Sequence, residues 1–117
     1  MNFTNYSIFL FWNIGKTVYE KENCCHNIIQ KYSDYCSYFF GNSFLFTREN
    51  IRFMKYLYMN FPIYYSKMES FSWNQYTLLF QLKNKKERLF YFYLSLFFHS
   101  DYYETNDFIQ NCYYHRI

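Results

Sequence analysis

The stretch TRENIRFMKYLYMNFP, residues 47–62, decides the fold. Thr47 is a good helix N-cap, because its hydroxyl can accept from a backbone N–H that has no partner inside the helix. At about 100° per residue, Ile51, Met54, Leu57, Tyr58 and Phe61 fall on one side, and Arg48, Arg52 and Lys55 fall on the other. A segment patterned in this way is an amphipathic helix with one face in a core. Pro62 ends it, since the residue before a proline is pushed out of helical space.

Working outward gives more helices. Upstream, Ile8, Trp12 and Val18, with Phe11 and Ile14 beside them, make a broad apolar face on a first helix from about Asn5 to Glu20. A polar connection follows from Glu20 to Asn27. A second helix then runs from about Ile28 to Phe40, and Gly41 and Asn42 stop it because both tolerate the left-handed conformation. Downstream, Ser72 caps a fourth helix through Leu82. Asn84, with Glu87 three residues on, makes a capping-box-like start for a fifth, Lys85 to Phe98. That helix is apolar nearly all round, so it must be central or covered by a partner. A short last helix spans roughly Thr105 to Tyr114. With two Gly and one Pro in 117 residues, the many tight turns of a β-sandwich are disfavoured. The expectation is an all-α fold: a compact bundle of about five to six helices in one domain over residues 1–117.

Composition sets the limits of what can be read from residue types. The chain has 16 Tyr, 16 Phe and no Ala. Phe, Tyr, Asn, Lys and Ile have AT-rich codons, so codon pressure explains the bias and the aromatics are discounted as a functional signal. Net charge is +3, which permits binding to a polyanion without demanding it. The apolar run from Met1 to Trp12 has no basic residue before it and no small-residue cleavage site after it, unlike a signal peptide. Leu89 to Phe98 is far shorter than the ~20 residues a membrane span needs. A cytoplasmic protein with no membrane partner is expected.

Two basic groups are candidates for phosphate contact. Arg48, Arg52 and Lys55 share a helical face, and Lys83, Lys85 and Lys86 cluster later. Such contacts supply most of the affinity for nucleic acid, with the third helix as a reading helix. The competing reading is a solvated face with helix-end charges. Arg88, one turn into an apolar helix, reads as a structural arginine tied to a carboxylate or a helix end. Trp12 and Trp73 sit among apolar residues at helical spacing and read as core. Cys24, Cys25, Cys36 and Cys112 show no C-x-x-C pair. Cys112 and His115, with Cys25 and His26, fall short of the paired spacings of a structural zinc site. Free thiols, no metal and no cofactor are expected. The Asp…Glu-x-Lys pattern that holds a divalent ion in restriction-type nucleases is missing, as is any Gly-rich phosphate loop. The chain reads as a non-enzyme with no catalytic residues.

In order along the chain, these segments resemble the N-terminal domain of the YhcG family. Trp12-Asn13-Ile14-Gly15-Lys16 with Glu20 is similar to the family's opening aromatic-x-Ile-Gly-Lys/Arg motif. Asn50-Ile51-Arg52-Phe53-Met54-Lys55 with Tyr58, Phe61 and Pro62 is similar to Asn-Leu-x-x-Met-Arg…Tyr…Phe-Pro. Phe71-Ser72-Trp73 with Tyr76, Leu78 and Leu79 resembles Leu-Ser-Trp-x-x-Tyr-x-x-Leu-Leu. Glu87-Arg88 with Phe90 and Tyr91 resembles the Arg-x-Phe-Tyr motif, and Ile109 with Tyr114-His115-Arg116-Ile117 the closing one. There are departures. The connection after Glu20 is short, and two extra residues fall near Leu45 and Phe46. Gln75 stands where the family commonly has His, Ser100 near a usual Trp and Thr105 near a usual Leu, so the last helix is expected to dock poorly. The family's nuclease half, of the PDDEXK type, is expected to be absent, because the chain stops at Ile117 about where that half would begin.

The resemblance implies a helix-turn-helix-like unit and a role in presenting nucleic acid to a nuclease. Three functions stay open: a DNA-binding accessory domain, a protein-interaction module that docks on a separately encoded nuclease half or on its own copy, and the product of a truncated gene.

Overall fold

A computed structural model of the chain describes residues 6–116. The expected helix start at Asn5 and the motif end at Ile117 lie outside the described residues. Within them the fold is all-α. The helices are α1 (Ile8–Lys21), α2 (Ile28–Phe40), α3 (Arg48–Asn60), α4 (Trp73–Phe80), α5 (Lys85–Phe97) and α6 (Tyr102–Gln110), with 3-10 turns at Ser66–Ser70 and Tyr113–Arg116. No strand occurs among the described residues. The chain clusters into two compact units, with the boundary between Tyr65 and Ser66.

The first unit is built on the crossing of α1 and α3. Phe11 and Val18 from α1 and Ile51, Met54 and Leu57 from α3 are fully buried, each worth about 1.5–3 kcal/mol of transfer free energy. Gly15 sets how closely the helices approach. A Cβ at this position would lie 1.8 Å from the carbonyl oxygen of Met54, and that oxygen belongs to the backbone of α3. Only glycine permits this contact. Thr47 caps α3 as its sequence predicts, accepting from the Asn50 N–H at 3.1 Å. At the other end of α3, the buried Trp12 indole donates to the Phe61 carbonyl at 2.7 Å. Trp12 is therefore core.

The expected bounds of α2 match its observed ones, and Gly41 closes it at φ 63°. The extra residues Leu45 and Phe46 are fully buried. Their backbone is held by side chains. Ser33 and Ser37 donate to the Phe46 carbonyl at 2.7 and 3.3 Å, and Asn50 donates to that of Leu45 at 2.8 Å. An insertion that looks like loop in the sequence thus plugs the core.

Capping organises the second unit. Ser72 accepts from the Gln75 N–H, and the Gln75 side chain accepts from the Ser72 N–H, a reciprocal box. Asp101 and Glu104 form another, and this box starts α6 at Tyr102 rather than at the expected Thr105. The helix stops at Gln110, and Cys112, at φ 56°, precedes the 3-10 turn that replaces the expected run to Tyr114. Asn84 caps α5 by accepting from the Lys86 and Glu87 N–H groups. Glu87 completes no box; its carboxylate lies 3.6 Å from His115.

Trp73, Tyr76, Leu79, Tyr91 and Phe92 form the apolar part of this core, and the Tyr76 hydroxyl donates to the Met68 carbonyl at 2.7 Å. Beside them runs a buried polar chain. Gln75 Nε2 donates to the Ser100 carbonyl at 2.9 Å and to Thr105 Oγ1 at 3.1 Å, and Thr105 Oγ1 donates to Ser95 Oγ at 2.9 Å. The poor docking expected of the last helix is corrected here. Thr105 is fully buried and ties α6 to α4 and α5 by hydrogen bonds where an apolar side chain was expected. The fifth helix buries one side only, through Tyr91, Phe92 and Ser95, and leaves Tyr93, Phe97 and the following Phe98 exposed. Burial pushes the Tyr91 phenol above its usual range, partly offset by the Tyr114 N–H that its oxygen accepts at 3.1 Å.

Candidate nucleic-acid interface

The expected site residues divide between the two units. Arg48, Arg52 and Lys55 lie on α3 in the first. Lys83, Lys85 and Lys86 lie in the second, all exposed, around the start of α5. Three lysines stand at a helix N-terminus, the positive end of its dipole, where Glu87 is the one acid of the first turn. Arg88 is not among them. Its guanidinium donates to the Leu82 carbonyl at 2.6 Å, just past α4, the structural role its place in the sequence suggests.

On α3 the three cations have two fates. Lys55 is half-buried, and its Nζ lies 2.9 and 3.1 Å from the two carboxylate oxygens of Glu22. Arg48 and Arg52, one turn apart, are exposed and line an open hollow of about 460 Å³. Its other walls are the turn after α1, with Glu22, Cys25 and His26, and the first turn of α2. Among the described residues no carboxylate pairs with either arginine. Glu22 is the acid in the hollow, and Lys55 neutralises it. The geometry therefore leaves two free guanidiniums over a concave surface, and a third cation removes the charge that would oppose them.

The start of α2 adds to the same electrostatics. Asn27, its N-cap, is left-handed at φ 55° and makes no side-chain cap hydrogen bond. The first N–H groups of a helix have no intrahelical acceptor and carry partial positive charge. Those of Ile28, Ile29 and Gln30, which line the hollow, are in this position. The sequence reading took residues 20–27 as a plain polar connection and missed this wall. The sequence pointed the other way, because Asn is among the best N-cap residues, and only its observed left-handed backbone leaves the cap unmade.

Cys24 and Cys25 bring their sulfurs to 3.7 Å in this turn. All four cysteines are free thiols. The hydrogen bond shared with Cys25 and the coulombic influence of Cys25 hold Cys24 above the ordinary thiol range, and burial pushes Cys36 up to about 11. Among the described residues no group of three or more His, Cys, Asp or Glu side chains is placed to hold a metal ion, and no helix is long and apolar enough to cross a membrane.

The connection between α2 and α3 covers residues 41–47, longer than the ~3–4-residue turn of a helix-turn-helix. No curated protein and no solved structure matches the chain. The family model described as the DUF1016 N-terminal domain matches residues 2–116. This is the family whose motifs the sequence resembles under the name YhcG, and the match covers nearly the whole chain: the protein belongs to the DUF1016 N-terminal domain family.

Proposed function

We propose that this chain is a non-catalytic nucleic-acid-binding accessory domain, of the kind that holds DNA for a nuclease, and that the hollow beneath Arg48 and Arg52 is where it holds the phosphate backbone. The observation that carries the reading is two unpaired arginines converging on one concavity whose acid is already neutralised by Lys55. Arginine presents a planar fork of donors that matches phosphate geometry. The uncapped start of α2, whose first residues line the same hollow, adds the positive end of a helix dipole. In this reading α2 and α3 are the helix-turn-helix-like unit, with a connection long enough to open the hollow between them. Lys55 serves the site from behind rather than touching phosphate, and Lys83, Lys85 and Lys86 are a basic cluster of the second unit. No catalytic role is included, because the sequence lacks the acidic pattern a divalent-ion nuclease needs.

One observation favours a second reading, docking of a protein partner. Tyr93, Phe97 and Phe98 leave apolar rings in solvent at the end of α5, the kind of surface a partner covers. Fluorescence anisotropy of labelled DNA at two salt concentrations separates the readings. Binding through the hollow falls with salt by roughly 0.9 log units of K per phosphate per log unit of salt on duplex, or about 0.7 on a single strand. Arg52→Gln is expected to weaken every DNA alike and to reduce that slope by about one contact. No binding at low salt would move the assignment to protein docking.

A further inference from the structure

From a second hollow that adjoins the first, we infer that the preferred ligand is single-stranded nucleic acid, with phosphates over the arginines and bases stacked on the aromatic face of α2. This deepens the phosphate-contact reading and rests on it. The second hollow, about 500 Å³, is walled by Lys21, Lys31, Tyr32 and Tyr35 together with Cys25 and Ile28. The last two residues also wall the arginine hollow, so the hollows are neighbours along a shared edge and together form the proposed track.

Two properties of the track select the ligand. The first is charge. Lys21 and Lys31 are exposed, and among the described residues no carboxylate pairs with them, so each hollow has two free cations. Asp34, the acid of α2, accepts from the Gln30 amide at 2.8 Å. The second property is a run of rings. Tyr35 in the wall of the second hollow, and Tyr38 and Phe39 after it on α2, are 60%, 90% and 65% exposed. Tyr32 and Tyr35 are 6.3 Å apart, and Tyr35 and Phe39 lie nearly parallel at 12° and 5.9 Å. Lys21 Nζ sits 5.9 Å over the Tyr32 ring, which adds a cation at the ring face. A positively charged groove that tracks a backbone and leads onto accessible aromatic faces is how single strands are bound without sequence preference. A duplex keeps its bases stacked inside and cannot use the rings. A protein partner could use the rings, yet Lys21 and Lys31 beside them and the two arginines of the adjoining hollow favour a polyanion.

The test uses a labelled 20-nucleotide oligo(dT), the oligo(dT)·oligo(dA) duplex of that length, and an abasic strand with the same phosphates, all at low salt. The full chain is expected to bind oligo(dT) about tenfold or more tighter than either competitor, because stacking is worth roughly that factor per base. Tyr35→Ala should lose this advantage and Tyr35→Phe should keep it. Both substitutions are at an exposed ring, and circular dichroism checks that each variant folds. Equal affinity for strand and duplex, an abasic strand that binds as well, or no effect of Tyr35→Ala would overturn the single-strand inference. Loss on Arg52→Gln would then still support the phosphate reading. Binding of no probe overturns both. A dimer seen in sedimentation that dissociates on Tyr38→Ala would assign the face to a second copy instead.

Discussion

The two units of this chain close their cores by opposite means. The first brings two backbones together: at Gly15, α1 meets the carbonyl of Met54 in α3 with no space for a methyl group. The second joins its helices through side chains, with Trp73 and Tyr76 on the apolar side and the Gln75–Thr105–Ser95 chain on the polar side. A core closed by backbone contact has little room to adjust to added volume. One closed by side chains is more exposed to lost volume and lost hydrogen bonds. The function proposed here follows the same division. The helix that crosses α1 also carries the two arginines of the hollow, whereas the second unit leaves aromatic rings and three lysines at the surface.

Substitutions can break this contrast, and the largest effect is expected in the second unit. Trp73→Ala empties a buried indole and should cost about 3–5 kcal/mol in denaturant unfolding. A loss well under 1 kcal/mol would mean that Trp73 is not core and that the apolar side of this unit lies elsewhere. Gly15→Ala tests the first unit in the opposite sense, by adding a single carbon. Because the obstacle is backbone, overpacking should cost about 3 kcal/mol or more, seen as a lowered Tm. A neutral result would show that the helices can separate and that close approach is not what builds this unit. The smallest expected effect is that of Thr105→Val. Its shape is nearly unchanged, but Gln75 loses one of two acceptors and the Ser95 hydroxyl loses its donor. About 1–2 kcal/mol should follow from the unsatisfied groups, and α6 amides should exchange hydrogen faster than those of α4. If stability instead rises, the polar chain does not dock α6, and the usual apolar residue would serve this chain better.

How legible the molecule was in its sequence depended on the range of the interaction. Thr47, Ser72 and Asn84 were readable as caps, and the span of α2 was readable from its period and Gly41, because these signals lie within a few residues of what they control. The Asp101-x-x-Glu104 box was equally local and was overlooked, which misplaced the start of α6. The expected face of α3 held for Ile51, Met54 and Leu57. The candidate site was legible in part. Arg48 and Arg52 could be named from their shared face, but Lys21, Lys31 and the first turn of α2 could not be joined to them, since periodicity places residues on a helix and not helices beside one another. Discounting the aromatics as codon bias also hid the exposed rings of Tyr35, Tyr38 and Phe39.

By itself, then, the sequence determined an all-α chain, the bounds of most helices and the family to which it belongs. These are set by local hydrogen bonding and by which face of each helix is apolar. Tertiary structure alone decided that Lys55 serves Glu22, 33 residues before it in the chain. It also decided that Thr105 meets Gln75 across 30 residues, and that Gly15 is required by a carbonyl on another helix. Each of these joins groups far apart in the chain, where no spacing rule reaches, and each exists only once folding has brought the partners together.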